Sequence, residues 1–230
     1  MELIECLGKI GLTGQEAAIY IELCRAGKLT GYEAAKLAGI SRSNAYHALA
    51  GLAEKGAAWR IEGDPQVYVP VPPDEFMRNV RRNYADIFQA AERLLPGPRP
   101  AQAPFVTVSG YRAVLDKMRD LVETAELRVY VSMAAAELAL VRSELQAAAA
   151  RPIKVVVITD DPHPIPGAQL YVHEKKPGQV RLIADTTQVL TGSFSEAESY
   201  CVYSRNKTLI DLIKDSLTNE MELIKQAPLA

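Results

Sequence analysis

Residues 30–55 read TGYEAAKLAGISRSNAYHALAGLAEK, and this stretch decides the fold of the first third of the chain. Thr30 and Glu33 have the spacing of a capping box: the threonine hydroxyl accepts from a first-turn amide while the glutamate reaches back, so a helix starts here. Ala34, Ala35, Leu37 and Ala38 give that helix a small apolar face. Gly39 is placed to stop it, Ile40 can tuck back toward a core, and Ser41 is a good N-cap for a second helix running to Lys55, with Gly56 positioned to end it. A short helix, a tight turn and a longer helix form a helix-turn-helix.

The second helix has two distinct faces. At about 100° per residue, Ala45, Ala48, Leu49 and Leu52 share one side, and Ser43, His47, Ala50 and Glu54 lie opposite. The first group is expected to pack and the second to face solvent. Arg42, Ser43 and Asn44 occupy the first turn, where a recognition helix projects toward base edges and phosphates and where free amides and the helix dipole favour an anion. Ser41, Arg42, Ser43, Asn44 and His47 are therefore the candidate DNA-contacting residues; the alternative is a purely structural three-helix unit.

The segment beyond this helix strengthens the nucleic-acid reading. Residues 57–61 and 66–71 are short extended runs separated by Glu62, Gly63, Asp64 and Pro65, a set of turn formers. The resulting hairpin would be a wing, with Arg60 a candidate phosphate contact. Trp59 and Tyr68 most simply pack the hairpin onto the helices, base stacking being the alternative use of such rings. Upstream, Thr13 and Glu16 form a second capping box, opening a helix to about Ala26 that can bury Ala17, Ile19, Tyr20, Leu23 and Cys24. Residues 1–72 are expected to form a winged helix-turn-helix domain.

Charge is not distributed as a broad basic field. The 230-residue chain has a formal net charge of −2, and residues 1–95 carry 11 Lys and Arg against 12 Asp and Glu. A DNA site must then be a local arrangement of Arg42, Lys55, Arg60 and neighbours. Cys6, Cys24 and Cys201 are odd in number and show no ligand-like spacing to one another or to His47, His163 and His173, so neither a disulfide framework nor a metal site is indicated, and no cofactor is expected. No secretory leader and no apolar run long enough for a membrane span is evident, which leads to the expectation of a cytoplasmic protein.

Pro72, Pro73 and Asp74 punctuate the wing and begin a helix within 73–95, on which Phe76, Val80, Asn83, Ile87, Ala90 and Leu94 recur at alternating four and three spacings. This seam is read as a dimerising coiled coil with Asn83 setting register; the alternative is a single amphipathic helix lying on its own protein. The run at 96–104, PGPRPAQAP, is a linker.

Residues 105–230 have a different grammar. Strands are expected at 105–108 and 127–132 with a helix at 111–125 between them, then a helix at 135–150 and a doubly buried strand at 153–158. Further strands are expected at 169–173, 179–184, 188–191 and 200–203, and a closing helix at 208–225. The alternation implies an α/β sheet with right-handed crossovers, with pockets near 132–134 and 159–162 at the carboxyl ends of its strands. The overall class is α+β, in two domains.

The stretch from GLTGQEAAIY through the wing to PVPPDE resembles the DNA-binding domain of the TrmB family of transcriptional regulators, and residues 105–230 resemble that family's phospholipase-D-like domain. The resemblance implies a homodimeric, sequence-specific regulator that binds double-stranded operator DNA and responds to a small-molecule effector, a sugar or another metabolite. The chain closes soon after its last helix, so the extra carboxy-terminal sugar-binding region of sugar-responsive members is expected to be absent.

Phospholipase-D-type phosphodiesterases carry His-x-Lys-x4-Asp followed six residues later by Gly-Ser. Here Asp185 and Gly192-Ser193 match the later part, but Gly178 and Val180 stand at the histidine and lysine positions. Neither supplies a nucleophilic lone pair or a cation for phosphate. His173 and Lys175 have the right mutual spacing but lie five residues too early and are expected to be a surface pair, while Asp185 and Ser193 are expected to stabilise the hairpin turn. The domain is therefore read as non-catalytic, leaving a phosphodiesterase with an atypical site and a protein-interaction module as the alternative functions. No effector-binding residue is assigned from sequence.

Overall fold

The computed structural model describes residues 2–97 and 105–226, in two compact units that divide between residues 98 and 99. Most of the 96–104 linker lies outside the described residues. The first unit runs α1 (Leu3–Lys9), α2 (Gly14–Ala26), β1 (Leu29–Thr30), α3 (Gly31–Ala38), α4 (Arg42–Glu54), β2 (Ala58–Ile61), β3 (Val67–Pro70) and α5 (Pro73–Leu94). Both capping boxes form: Thr13 with Glu16 opens α2 and Thr30 with Glu33 opens α3. Gly39 ends α3 in the left-handed region at φ 65°, a conformation that favours glycine.

β1 escaped the sequence reading because two residues carry no periodicity. It pairs antiparallel with β3, Leu29 opposite Tyr68, giving a three-stranded sheet in the order β1-β3-β2. The core is built from Ile19, Tyr20 and Leu23 of α2, Ala34 and Ala35 of α3, and Ala45, Leu49 and Leu52 of α4. These are the faces that helical spacing predicts, apart from Cys24 of α2 and Leu37 of α3, which are exposed.

Two aromatic expectations need correction. Tyr68 is buried, but Trp59 is 49% exposed and does not fasten the hairpin to the helices. Phe76, placed in the dimer seam from its heptad position, is 2% exposed and belongs to the core of its own unit. Its ring lies 5.2 Å from that of Tyr20, whose hydroxyl donates to the Val71 carbonyl at 3.0 Å. The start of α5 is thereby locked onto α2, and Val80 packs partly against the same core.

The second unit contains β4 (Phe105–Ser109), α6 (Tyr111–Glu123), β5 (Arg128–Ser132), α7 (Ala135–Ala139), α8 (Arg142–Ala149), β6 (Lys154–Thr159), β7 (Gln169–Val172), β8 (Gln179–Ala184), β9 (Gln188–Phe194), β10 (Ser199–Ser204) and α9 (Lys207–Gln226). Its seven-stranded sheet has the order β4-β10-β9-β8-β5-β6-β7. Only β5, β6 and β7 pair in parallel; β4 pairs antiparallel with β10 and does not neighbour β5. The expectation of repeated βαβ units is thus corrected to a mixed sheet.

The doubly buried strand is confirmed as β6. Val155 and Val157 pack into the cluster with Val114, Met118 and Leu121 of α6 and Leu145 of α8, while Val156 and Ile158 meet Ile210 and Leu217 of α9 on the other face. The single helix expected at 135–150 breaks in two around Leu140 and Val141. Its alanine-rich sequence carries no glycine or proline to announce the break. Arg119 donates to the Leu140 carbonyl there at 3.1 Å, satisfying a group the break exposes. Arg151 does the same for α6, donating to the carbonyls of Val122, Glu123 and Ala125 at 2.8–2.9 Å.

Candidate functional sites

The first turn of α4 is set by its cap. Ser41 Oγ accepts from the Asn44 amide at 3.2 Å, fixing the first turn and leaving the serine O–H free to donate outward. Arg42, Ser43, Asn44 and His47 are all exposed, while Ala45, Ala48, Leu49 and Leu52 are buried. The helix therefore offers a continuous polar surface.

Two tyrosines complete that surface and were not singled out from sequence. The Arg42 guanidinium lies 4.5 Å over the Tyr32 ring, which restrains its long side chain and holds the charge at the helix start. Tyr46, 49% exposed, packs over Gly31, where a Cβ would come within 2.3 Å of its ring. The available signal was its position beside His47 on the solvent side of the helix.

The remaining cations divide. Arg60 on β2 is exposed and reaches Glu62 across the wing at 3.5 Å, a weak surface pair from which a phosphate could take it. Lys55, at the surface, is bonded to Glu16 at 2.6 Å and to the Gly11 carbonyl at 2.9 Å, so its charge is already paired within the unit.

Beyond Val80, Asn83, Ile87 and Leu94 of α5 are exposed and Ala90 is half-buried. Phe88 and Leu95, outside the seam read from sequence, add exposed apolar surface beside it.

In the second unit, Asp185 has the structural role expected of it, whereas Ser193 lies at the end of β9 away from the β8–β9 turn and does not stabilise that turn. Val180 is fully buried and Gly178 has no side chain, so the histidine and lysine positions are chemically empty. Asp185, at φ 52°, accepts from the amides of Glu126, Leu127 and Arg128 at 2.7–2.9 Å, stapling the β8–β9 turn to the start of β5. Against the upward push of burial, these three bonds hold its carboxyl below the ordinary aspartate value.

His173 and Lys175 are not the expected surface pair. His173 is exposed, whereas the Lys175 side chain is 6% exposed, donates to Ser132 Oγ at 2.8 Å and contacts the Glu220 carboxylate of α9. Arg181 joins them, donating to Ser132 Oγ at 3.0 Å and to Glu220 at 2.7 Å. Burial and the adjacent Arg181 hold the Lys175 ammonium down to about 8, with Asp160 pulling the other way. The cluster ties α9 to β5 and β8.

The expected pocket positions are also partly filled. Asp160 accepts from the Ala135 amide at 2.6 Å, and Asp161 pairs with Arg142 at 2.9 Å. A cavity of about 320 Å³ opens at the same end of the sheet but over its antiparallel half, at the start of β8, the end of β9 and the start of β10. Among the described residues there is no group of three or more His, Cys, Asp or Glu placed to hold a metal, and no helix long and apolar enough to cross a membrane.

A capped helix-turn-helix with a hairpin wing, and a second unit built on a mixed sheet, define a two-domain winged helix-turn-helix protein. Residues 7–74 match the family model described as sugar-specific transcriptional regulator TrmB, and residues 105–220 match that of the N-terminal subdomain of the TrmB effector-binding domain. The chain belongs to the TrmB family of transcriptional regulators.

Among similar proteins, YrhO of Bacillus subtilis (strain 168) is 25% identical over 175 residues, which are 75% of this chain and 64% of that protein. The HTH-type sugar sensing transcriptional regulator TrmBL1 of Pyrococcus furiosus is 25% identical over 136 residues, 57% of this chain and 40% of the relative. The chain thus matches less than two thirds of the length of either. Among solved structures, TrmBL2, an archaeal chromatin protein, aligns over 96% of this chain and 97% of its own at 17% identity and a TM-score of 0.48. The phospholipase D family member Nuc of Salmonella typhimurium aligns over 50% of this chain and 91% of its own, at 15% identity and a TM-score of 0.41.

Proposed function

We propose that this chain acts in the cytoplasm as a homodimeric, sequence-specific DNA-binding regulator whose operator affinity is set by a small-molecule effector. The observation that carries the reading is the α4 surface, where Arg42, Ser43, Asn44 and His47 are exposed on a helix whose opposite face is fully buried. Ser43, Asn44 and His47 read base edges, while Arg42 and, from the wing, Arg60 hold phosphates; Ser41 can add a hydroxyl contact at the helix start. Two copies joined along Val80, Asn83, Ile87, Ala90 and Leu94 of α5 present two such helices to paired half-sites. An effector with different affinity for two arrangements of that dimer shifts their populations, and with them the spacing of the recognition helices.

The test is binding of the purified protein to DNA from its own upstream region at several salt concentrations, with random DNA as competitor. Specific, salt-sensitive binding is expected. Binding equal on random DNA, or none with or without cell metabolites, would overturn the reading.

A further inference from the structure

The mixed sheet ends in two edge strands that are protected unequally. At one end, β7 is four residues long and runs directly into the exposed polar side chains of His173, Glu174 and Lys176, which discourage a further strand. At the other, β4 reads Phe-Val-Thr-Val-Ser and carries no charge, no proline and no glycine. Four of its five residues are exposed, with Phe105 at 53% and Val106 at 37%. β10 is its neighbour in the sheet, and among the described residues no strand pairs with its outer side.

The ladder identifies the free backbone groups. β4 runs antiparallel to β10, from Ser109 opposite Tyr200 to Phe105 opposite Ser204. Just beyond it, the Gly110 amide donates to the Ser199 carbonyl at 2.8 Å. In an antiparallel pair, residues bonded to the neighbour alternate with residues whose N–H and C=O point away from it. Counting back from Gly110, Val108 and Val106 bond to β10, whereas Phe105, Thr107 and Ser109 turn their amides and carbonyls outward. No group among the described residues bonds to these outward amides and carbonyls. An uncharged edge rich in β-branched residues is a template for another strand unless something covers it.

The strand is complementary to itself. Turned about a two-fold axis at Thr107, it sets Thr107 against Thr107, Val106 against Val108 and Phe105 against Ser109, and no like charges are opposed. The outward groups of residues 105, 107 and 109 then meet those of 109, 107 and 105 as hydrogen-bonded pairs, as an antiparallel ladder requires. Threonine pairs and pairs of β-branched residues stabilise facing strands.

We propose that β4 of one copy pairs antiparallel with β4 of a second copy about a two-fold axis at Thr107, joining the two sheets into one. This inference rests on the homodimer reading above. A pairing of five residues falls well short of the ~1,200–2,000 Å² that a stable interface buries. It therefore forms in a dimer that α5 has already brought together, where the effective concentration of the second strand is high. It joins the second units directly, whereas the α5 seam joins the first.

The experiment is disulfide trapping in the full-length protein, with Cys6→Ser and Cys24→Ser removing the more accessible thiols. Thr107→Cys should cross-link to itself under mild oxidation, because hydrogen-bonded partners lie about 5.5 Å apart at Cα, within disulfide range. Phe105→Cys should not, since its own counterpart would lie about 13 Å away along the strand. Mixed and re-equilibrated with Ser109→Cys, it should. Thr107→Pro removes an outward N–H and leaves the β10 ladder intact, so the melting temperature should barely change. The dimer dissociation constant in sedimentation should nevertheless rise about tenfold or more, the size expected for losing two backbone hydrogen bonds. A dimeric parent whose Thr107→Cys variant gives no cross-link, self-linking by Phe105→Cys, or a dissociation constant unmoved by Thr107→Pro would overturn the pairing and leave the homodimer reading standing. A parent that is monomeric at every concentration would overturn both.

Discussion

The ammonium of Lys55 lies 2.6 Å from the carboxylate of Glu16, which is itself the reciprocal member of the α2 capping box. One buried carboxylate thus closes the start of α2 and fastens it to the end of α4. Burial pushes its pKa up, but the bonds from Lys55 and the Thr13 amide prevail and leave the carboxyl below its ordinary value. Removing the lysine should leave that charge poorly compensated. Lys55→Met is expected to cost about 1–2 kcal/mol in urea unfolding, below the ~3–5 of a fully buried pair because the Lys55 side chain is 38% exposed. Gly51→Ala attacks the same contact sterically, since its Cβ would come within 2.2 Å of the Glu16 Oε1. A neutral result for both variants would show that the pair does not hold α2 to α4.

The two roles assigned on α4 separate by salt dependence. Arg42→Ala should weaken binding to operator and random DNA alike and reduce the slope of log K against log salt by about one, as loss of one phosphate contact requires. His47→Ala should instead change the ranking of operator variants and leave that slope nearly unchanged. Tyr32→Phe keeps the ring beneath Arg42 and should behave as the parent, whereas Tyr32→Ala should reproduce part of the Arg42→Ala loss. Equal losses on every sequence for Arg42→Ala and His47→Ala would remove the distinction between phosphate and base contacts.

These assignments show what local sequence could and could not reveal. Caps such as Thr13 with Glu16 and Thr30 with Glu33 involve residues three apart, so spacing alone located the helices. The apolar face of α4 was legible for the same reason. Phe76 was misread because heptad spacing identifies a buried face without saying which neighbour buries it; Tyr20 of the same unit does so. Lys175 was misread because its partners, Ser132 and Glu220, are more than forty residues away in sequence. The antiparallel placement of β4 beside β10 is likewise a long-range choice that the strand-helix-strand pattern does not encode.

Asp185 supplies an acid-sensitive contribution to the second unit. A carboxyl whose native pKa is depressed stabilises the fold in full above the unfolded-state value and loses that contribution as pH falls through the native one. Asp185→Asn should therefore destabilise the protein by about 1–2 kcal/mol at neutral pH, with the difference from the parent shrinking below about pH 4. Asparagine tolerates the positive φ of this position, so the loss reports on charge and acceptor strength more than on backbone strain. Urea unfolding at a series of pH values checks it; a difference independent of pH would show that the ionised carboxylate is not the stabilising species.

The α5 helix makes the sharpest division between folding and assembly. Phe76 is buried with Tyr20, so Phe76→Ala should cost about 3–5 kcal/mol of first-unit stability through the cavity it leaves. Ile87, 51% exposed, and Leu94, 83% exposed, contribute little to the fold of the chain on which they sit. Ile87→Lys with Leu94→Lys should leave the melting temperature of a dilute sample nearly unchanged, yet place charges where the proposed seam requires apolar contact. In sedimentation equilibrium the parent should fit a dimer and the double variant a monomer, with operator affinity falling because two half-sites can no longer be engaged together. A double variant that remained dimeric would move the self-association surface off α5.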